Sequence, residues 1–338
     1  RERRPYRYSR RCLEDPPADY LTRDFAVRFQ VPEGEAVFAD LIRGEVRFAH
    51  ETIGDPVIVK SNGYPTYNFA SPVDDADMRI THVLRGEEHL SNTPLQLMLL
   101  DALGQERPQA FAHLPVIVGK DHKKLSKRLH PETRLGLYQE LGYLPEGLLN
   151  YLALLGWNPG TEQEIFDLAG LVREFDIARV QRSPAMFDWD RLDWIDGHHI
   201  RALGDDELAR RLGPYVPELP PETLRRAAPA LKERLQRLDR AGELLAFVLE
   251  EPPAPKLDPA QRAMVAEVRE RLGSLQEWKA ARIEAVVEAL REAQGWSRGK
   301  LFTPLRLCVA GRVAPPIFDT LALLPQAEVL RRLDRVLR

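Results

Sequence analysis

The spacing of apolar residues changes along this chain. Between residues 24 and 60 apolar and polar positions alternate, most clearly over 25–31 and 56–59, and Gly34 follows a proline at a turn signal between them. Period-two alternation is typical of half-buried strands. We therefore predict a small sheet in this segment.

Residues 61–128 show a different pattern. Short strand-like segments occur at 64–71, 80–84 and 114–118, and the acidic residues of 74–77 are interpreted as a connection. A loop rich in lysine follows the last segment. In a parallel sheet such a loop lies beyond the carboxyl ends of the strands, where ligands bind.

A helix is predicted between the last two of these segments. Thr93 is placed as its N-cap, Pro94 as its first helical residue, and Gly104 as the residue that ends it. Strand, helix and strand in this order predict an α/β unit with a parallel sheet.

From residue 129 onward the chain is predicted to be almost wholly helical. Leucines recur at helical spacing in two groups, which are Leu137, Leu141, Leu148, Leu149, Leu152 and Leu155, and later Leu224, Leu231, Leu235, Leu238, Leu244 and Leu245. The proline-rich segment 252–255 then interrupts the pattern. The fold class predicted is α/β plus all-α, with the helical half split near residue 253.

Composition excludes several classes of protein. The 338 residues are 44% hydrophobic and 29% charged, which is ordinary for a globular protein and excludes collagen-like and disordered chains. No apolar run approaches the roughly 18 residues that a membrane span needs. The two cysteines, Cys12 and Cys308, are too few to staple a chain of this size, so we expect a reducing, cytoplasmic setting.

Lysine is unevenly distributed. The chain has 9 lysines against 39 arginines, and four of the lysines lie in one window, which are Lys120, Lys123, Lys124 and Lys127. Several ammonium groups on flexible stems suit an anion whose charge moves during reaction, such as a triphosphate that loses pyrophosphate. The alternative is a solvated basic loop. The net charge of −3 argues against indiscriminate nucleic-acid binding.

The window contains a recognisable motif. Lys124-Leu-Ser-Lys-Arg128 resembles the KMSKS signature of class I aminoacyl-tRNA synthetases, in the form typical of bacterial glutamyl-tRNA synthetases. Further segments resemble that family in the same order, at 61–67, 73–75, 80–94, 111–115, 148–157 and 187–192. The resemblance covers nearly the whole chain.

The resemblance implies a domain order. Residues 1–60 correspond to a remnant of the inserted acceptor-binding domain, and 61–128 to the second half of the Rossmann-type catalytic domain. Residues 129–200 correspond to a helical stem-contact domain, and 201–338 to a helical anticodon-binding region. The family's His-Ile-Gly-His turn has no counterpart in the sequence, so we expect an N-terminally truncated chain that is catalytically incomplete alone.

The resemblance also implies an ATP site. Lys124 and Lys127 match the lysines that stabilise the departing pyrophosphate, and we predict them to be catalytic. The positions that match ATP-binding residues are Glu88, His89, Val116, Ile117, Leu125, Ser126 and Lys127. ATP with Mg²⁺ enters as a substrate, and no tightly bound cofactor is predicted.

Three further positions match the family's glutamate pocket. Arg85 corresponds to an arginine that holds a carboxylate, a task suited to paired guanidinium hydrogen bonds. Without the family, Arg85 reads as a surface ion pair with Glu87 or Glu88. Tyr67 matches a pocket tyrosine, with a core tyrosine as the alternative, and Ser71 stands where some relatives carry asparagine.

The expected macromolecular partner is tRNA(Glu). Six positive residues lie on one predicted helical stretch, namely Arg225, Arg226, Lys232, Arg234, Arg237 and Arg240. Such a stretch is usually a solvated helix face. Arg234, however, aligns with the arginine that reads the third anticodon base in discriminating members of the family, and arginine suits splayed bases.

No metal site is predicted. His82 and His89 are seven residues apart with no cysteine near them. Asp74, Asp75 and Asp77 are interpreted as structural. The segment 8–12 resembles the tail of a zinc-binding segment of some members, but Cys12 is interpreted as a lone exposed cysteine because a structural zinc site needs four ligands.

The function predicted is ATP-dependent ligation of glutamate to tRNA(Glu) by a monomer with no membrane association. The alternative from another class is a non-catalytic tRNA-binding fragment or paralogue. Glutaminyl-tRNA synthetase is disfavoured because its anticodon region consists of β-barrels, whereas residues 201–338 have a helical pattern. The paralogue that modifies queuosine is excluded because it lacks an anticodon domain.

Overall fold

The computed structural model describes residues 8–16, 18–19, 24–125, 130–311 and 313–338. The chain forms two compact units. One consists of Arg1–Leu125, Ala153–Gln163 and Ala169–Phe187; the other consists of Ser126–Leu152, Glu164–Leu168 and Asp188–Arg338. No described helix is long and apolar enough to cross a membrane.

Strands and short helices alternate in the first part of the chain. In order these are α1 (Arg11–Glu14), β1 (Val27–Arg28), β2 (Glu35–Asp40), β3 (Gly44–Ala49), β4 (Val57–Val59), α2 (Tyr67–Asp77), β5 (His82–Gly86), α3 (Thr93–Leu103), β6 (Ala110–Leu114) and β7 (Ile117–Val118).

The central sheet has the strand order β3-β2-β6-β5. β2 and β3 are antiparallel, whereas β6 runs parallel to both β2 and β5. Phe38, Leu97 and Phe111 form a small core against this sheet. The order β5, α3, β6 is the parallel α/β unit that the sequence predicts, and it places the carboxyl ends of β5 and β6 side by side.

The predicted strand over 64–71 is wrong. Residues from Tyr67 onward form α2, and Thr66, in extended conformation, is its N-cap. The acidic residues of 74–77 are therefore the last turn of a helix rather than a connection. Over eight residues, aromatic and apolar positions do not distinguish the strand period from the helix period.

Helix α3 is confirmed, but its N-cap is Asn92 and Thr93 is its first residue. The Thr93 hydroxyl is engaged elsewhere, as described below. Gly104 ends the helix with φ of 66°, the left-handed conformation that glycine adopts most readily. The predicted strand over 114–118 is divided between the end of β6 and β7.

Helices dominate the remainder, as predicted. They are α4 (Leu135–Glu140), α5 (Pro145–Leu154), α6 (Leu168–Glu174), α7 (Trp189–Ala202), α8 (Asp205–Leu212), α9 (Pro221–Lys232), α10 (Ala241–Leu249), α11 (Pro259–Gly273), α12 (Ala280–Ala293), α13 (Arg298–Val309), α14 (Ile317–Leu323) and α15 (Gln326–Leu337). Before α7, β8 (Ala185–Met186) pairs in parallel with β7.

The helical region carries one large apolar core, to which residues of α8 through α15 contribute. The proline-rich segment near residue 253 lies between two helices, since α10 ends at Leu249 and α11 begins at Pro259. The single helical stretch expected for the positive residues 225–240 is wrong, because α9 ends at Lys232 and an irregular segment follows.

Candidate active site

Arg85 lies near the end of β5, directly opposite His113 of β6. Its Nε donates to His113 Nε2 at 3.1 Å. Its Nη2 donates to Thr93 Oγ1 at 2.7 Å and to Gln96 Oε1 at 2.9 Å. One edge of the guanidinium is thus fixed by uncharged groups from β6 and α3.

The sequence alternative for Arg85, an ion pair with Glu87 or Glu88, is wrong. Glu87 pairs with Arg43, and Glu88 pairs with Lys124. Among the described residues Arg85 forms no ion pair with a carboxylate. Its positive charge therefore remains available to an anion.

Helix α2 brings two of the predicted glutamate-site residues onto one face. Tyr67 is half-exposed, and its ring lies against that of His89, with 5.6 Å between centroids. Ser71 follows one helical turn later. Tyr67 is therefore not a core tyrosine. Its ring contacts that of His89, which is one of the predicted ATP-binding residues.

Asp75 lies one turn beyond Ser71. The sequence did not indicate that this residue is near the site. Burial raises the pKa of Asp75, while the positive charge of Arg85 lowers it in part. The two side chains are thus close enough to interact electrostatically without a direct ion pair. Interpreting the segment as a helix would have placed Asp75 near the site, because the four-residue spacing puts it on the same face as Tyr67 and Ser71.

The lysine window begins as a tight hairpin. Val118 and Lys124 form an antiparallel bridge, and Leu125 N–H donates to the carbonyl of Ile117 at 3.1 Å. At the turn, His122 has φ of 59°. The turn places Lys124 and Leu125 beside β7, next to Ile117.

Lys124 donates to Glu88 Oε1 at 2.7 Å. This hydrogen bond is the main cause of the lowered pKa of Glu88. Gly86 contributes to the arrangement, because a Cβ at that position would overlap the Glu88 carboxylate. A predicted catalytic residue and a predicted ATP-binding residue, 36 positions apart, are thus in contact.

The remaining predicted residues of the loop, Ser126 and Lys127, lie outside the described residues. Val116, also predicted to line ATP, has its N–H bonded to Glu87 Oε1 at 3.2 Å and its carbonyl bonded to Ala185 N–H. Both main-chain polar groups of Val116 thus already take part in hydrogen bonds within the protein.

Arg234 differs from its positive neighbours. Arg225, Lys232, Arg237 and Arg240 all form ion pairs with carboxylates, and Arg226 donates to the carbonyl of Ala322. Arg234 is exposed, and within the part of the chain that the structure describes it has no carboxylate partner.

A second arginine lies near Arg234. Burial of Arg306, on α13, lowers its pKa, and repulsion from Arg234 lowers it further. Neither guanidinium is paired with a carboxylate among the described residues, so two like charges interact at this place. No local pattern indicates Arg306, because 72 positions separate it from Arg234.

Within the described ranges, no group of three or more His, Cys, Asp or Glu side chains could hold a metal ion. Cys12 is exposed and Cys308 is buried.

Comparison with family models gives two matches. Residues 2–194 match the catalytic domain of class I tRNA synthetases (E and Q), and residues 207–337 match an anticodon-binding domain.

Curated relatives extend this similarity over the chain. The glutamate–tRNA ligase of Moorella thermoacetica is 41% identical, over 100% of this chain and 74% of the relative. That of Acidothermus cellulolyticus is 41% identical, over 99% of this chain and 71% of the relative.

A solved structure matches with a TM-score of 0.82 and 28% identity, over 97% of this chain and 70% of that one. It is a glutamate tRNA ligase from Elizabethkingia meningosepticum in complex with its amino acid.

Proposed function

The chain belongs to the class I tRNA synthetases of the glutamate and glutamine group, and from that premise we propose that it ligates glutamate to tRNA(Glu) at the expense of ATP. The family uses ATP as a substrate, generally with Mg²⁺. In the proposed reaction the α-carboxylate of glutamate attacks the α-phosphorus of ATP, which releases pyrophosphate and forms glutamyl adenylate. A hydroxyl of the terminal ribose of the tRNA then attacks the acyl carbon of the adenylate, which forms the ester and releases AMP and a proton.

The observation that carries glutamate as the substrate is the state of Arg85. Its guanidinium is held on one edge by His113, Thr93 and Gln96 and forms no ion pair with a described carboxylate. A cation without an ion-pair partner among the described residues favours a carboxylate over the neutral amide of glutamine. Tyr67 and Ser71, one turn apart on the same face of α2, complete the proposed glutamate site.

The proposed ATP site combines Glu88, His89, Val116, Ile117 and Leu125 with the loop residues Ser126 and Lys127. Lys124 is held by Glu88 in this structure, and it would exchange that carboxylate for the departing phosphates. Class I chemistry of this kind depends on positioning and charge stabilisation rather than on a protein nucleophile. Lys124 and Lys127 are the proposed catalytic residues.

The helical half is the proposed surface for tRNA, with Arg234 reading the anticodon. Its charge is unpaired among the described residues, which distinguishes it from its ion-paired neighbours. We infer a monomer that acts in the cytoplasm, where protein synthesis takes place.

The test is glutamate-dependent ATP–pyrophosphate exchange with tRNA present, on the protein as its gene encodes it. We expect exchange with glutamate and little with glutamine. Arg85→Gln should lower exchange with glutamate by about 100-fold, since removal of one preorganised charged contact costs on the order of 10²–10³. Arg107→Gln, which removes an exposed arginine paired with Asp101, is the matched control.

A second variant tests the lysine loop. Lys127→Ala should lower exchange by orders of magnitude while tRNA binding is retained. Wild-type exchange in this variant would remove Lys127 from the mechanism. If the unaltered protein binds tRNA but supports no exchange, the chain is a non-catalytic tRNA-binding protein instead.

A further inference from the structure

A buried chain of hydrogen bonds lies behind Arg85. Asp40, the last residue of β2, and His113, on β6, have fully buried side chains. His113 Nδ1 lies 2.6 Å from Asp40 Oδ2. On the other side of the ring, His113 Nε2 faces Arg85 Nε at 3.1 Å and Thr93 Oγ1 at 3.2 Å. The imidazole therefore bridges a carboxylate and a guanidinium.

The Asp40 carboxylate is ionised in this setting. Burial alone would raise the pKa of Asp40, but hydrogen bonds from the backbone of Arg43, from the His113 ring and from the backbone of Ile42 lower it below its usual range. An ionised carboxylate only accepts hydrogen bonds, so His113 Nδ1 carries the proton.

The His113 ring is neutral. Burial is the largest cause of its lowered pKa, and the cations that face it, Arg85 from β5 and Arg43 from the turn after β2, lower it further, whereas Asp40 raises it. A neutral ring with its proton on Nδ1 has a lone pair on Nε2. That lone pair accepts the Arg85 Nε–H bond.

The groups that hold Arg85 in place carry no negative charge. His113, Thr93 and Gln96 fix the Nε and Nη2 positions without neutralising the guanidinium. A carboxylate in the place of His113 would fix the same edge and cancel the charge. The opposite tautomer would place an N–H against an N–H.

We propose that Asp40 and His113 are positioning residues that fix Arg85 through a locked imidazole tautomer, so that its free edge remains available to a glutamate carboxylate. This inference rests on the proposed function. It adds two residues that do not touch the substrate and that act through Arg85.

Kinetics of His113→Leu in tRNA-dependent exchange provide the first test. We expect the KM for glutamate to rise by about tenfold or more, with the KM for ATP unchanged, because misplacement of a positioning group by about 1 Å can cost on the order of 100-fold. His113→Gln should recover part of the loss, since an amide oxygen can accept from Arg85 Nε.

The matched control is His50→Leu. His50 is another buried histidine of the same unit, and its Nδ1 contacts the carbonyl of Pro32 rather than Arg85. A folded His113→Leu with a glutamate KM equal to that of His50→Leu, or with glutamate and ATP KM values raised in parallel, would overturn the inference. An unaltered protein without glutamate-dependent exchange would instead overturn the proposed function.

A second measurement does not depend on whether His113→Leu folds. Nitrogen-15 NMR of the unaltered protein, with His113 assigned by comparison with His113→Gln, should show a neutral ring protonated at Nδ1. In Asp40→Asn the proton should redistribute toward Nε2 and the glutamate KM should rise. A ring protonated at Nε2 in the unaltered protein would refute the tautomer lock.

Discussion

Lys124 lies in the hairpin that follows β7 and forms an ion pair with Glu88, with 2.7 Å between Lys124 Nζ and Glu88 Oε1. Both side chains are about half exposed, with 56% and 42% of their surface accessible. A pair of this exposure contributes only about 0–1 kcal/mol to folding stability. The ion pair therefore keeps Lys124 near the proposed phosphate site but is weak enough to be exchanged.

Lys124→Ala should separate function from stability. We expect glutamate-dependent exchange to fall by about 100-fold or more, because a charged group proposed to stabilise the leaving pyrophosphate is lost. The melting temperature should change by less than about 3 °C, as expected for an exposed pair. Exchange kinetics and thermal unfolding measure the two effects.

Lys123→Ala is the control, since Lys123 is the adjacent lysine, is 82% exposed and lies 3.8 Å from Asp121. Equal losses of exchange in the two variants would show that the loop contributes only diffuse positive charge.

Gly147, within α5, packs against α7. A Cβ at this position would overlap the Asp196 carboxylate and would lie 3.0 Å from the Asp196 Cα. Glycine-to-alanine changes inside helices usually stabilise by about 0.5–1 kcal/mol. Here we expect Gly147→Ala to destabilise by about 1–3 kcal/mol, because the backbone of α7 must move.

Gly136→Ala is the matched comparison for Gly147→Ala. Gly136 lies in α4, and its Cβ would meet only the end of the Arg134 side chain, at 3.8 Å. Urea unfolding of both variants gives the free energies of unfolding. The two substitutions should have opposite signs, and a stabilised Gly147→Ala would contradict the packing argument.

Most residues of the candidate site could be proposed from the sequence because the family signature is local. The contacts between its parts were not. Glu88 with Lys124, and Asp40 with His113, join residues 36 and 73 positions apart, and no local pattern encodes such a pairing. The strand predicted over 64–71 failed for a different reason, since a short segment with Pro72 near its end gives no clear helix period.

Asp196 should make stability depend on pH. Its Oδ1 accepts from Leu144 N–H at 3.0 Å, and its buried Oδ2 has no hydrogen-bond partner in the described structure. Burial, the largest cause, raises the pKa of Asp196 to about 8. In the unfolded chain it is about 3.9.

The sign follows from proton linkage. Because the folded pKa is the higher one, the contribution of Asp196 to stability is fully present below about pH 4 and is lost as the pH rises to about 8. Asp196→Asn keeps the acceptor for Leu144 and removes the charge. The variant should therefore exceed the parent in stability at pH 9, by about 2–5 kcal/mol, and not at pH 4.

Urea unfolding at both pH values tests this prediction. Asp206→Asn, at a side chain that is 80% exposed, should show no such difference between the two pH values. An Asp196→Asn variant whose advantage is the same at pH 4 and pH 9 would mean that the carboxyl does not titrate as described.

Arg234 provides the prediction for tRNA selection. Its guanidinium is exposed, lies near that of Arg306, and has no carboxylate partner among the described residues. Arg234→Gln should therefore reduce the preference for glutamate tRNA over glutamine tRNA by about tenfold, since a good contact between arginine and a base contributes about 1–3 kcal/mol. Charging of both tRNAs, measured as kcat/KM, gives the ratio. Arg225→Gln removes another exposed charge, which is already paired with Asp206 and Glu222, so its ratio should match that of the unaltered protein. If the two substitutions change the ratio equally, Arg234 contributes general positive charge and does not read a base.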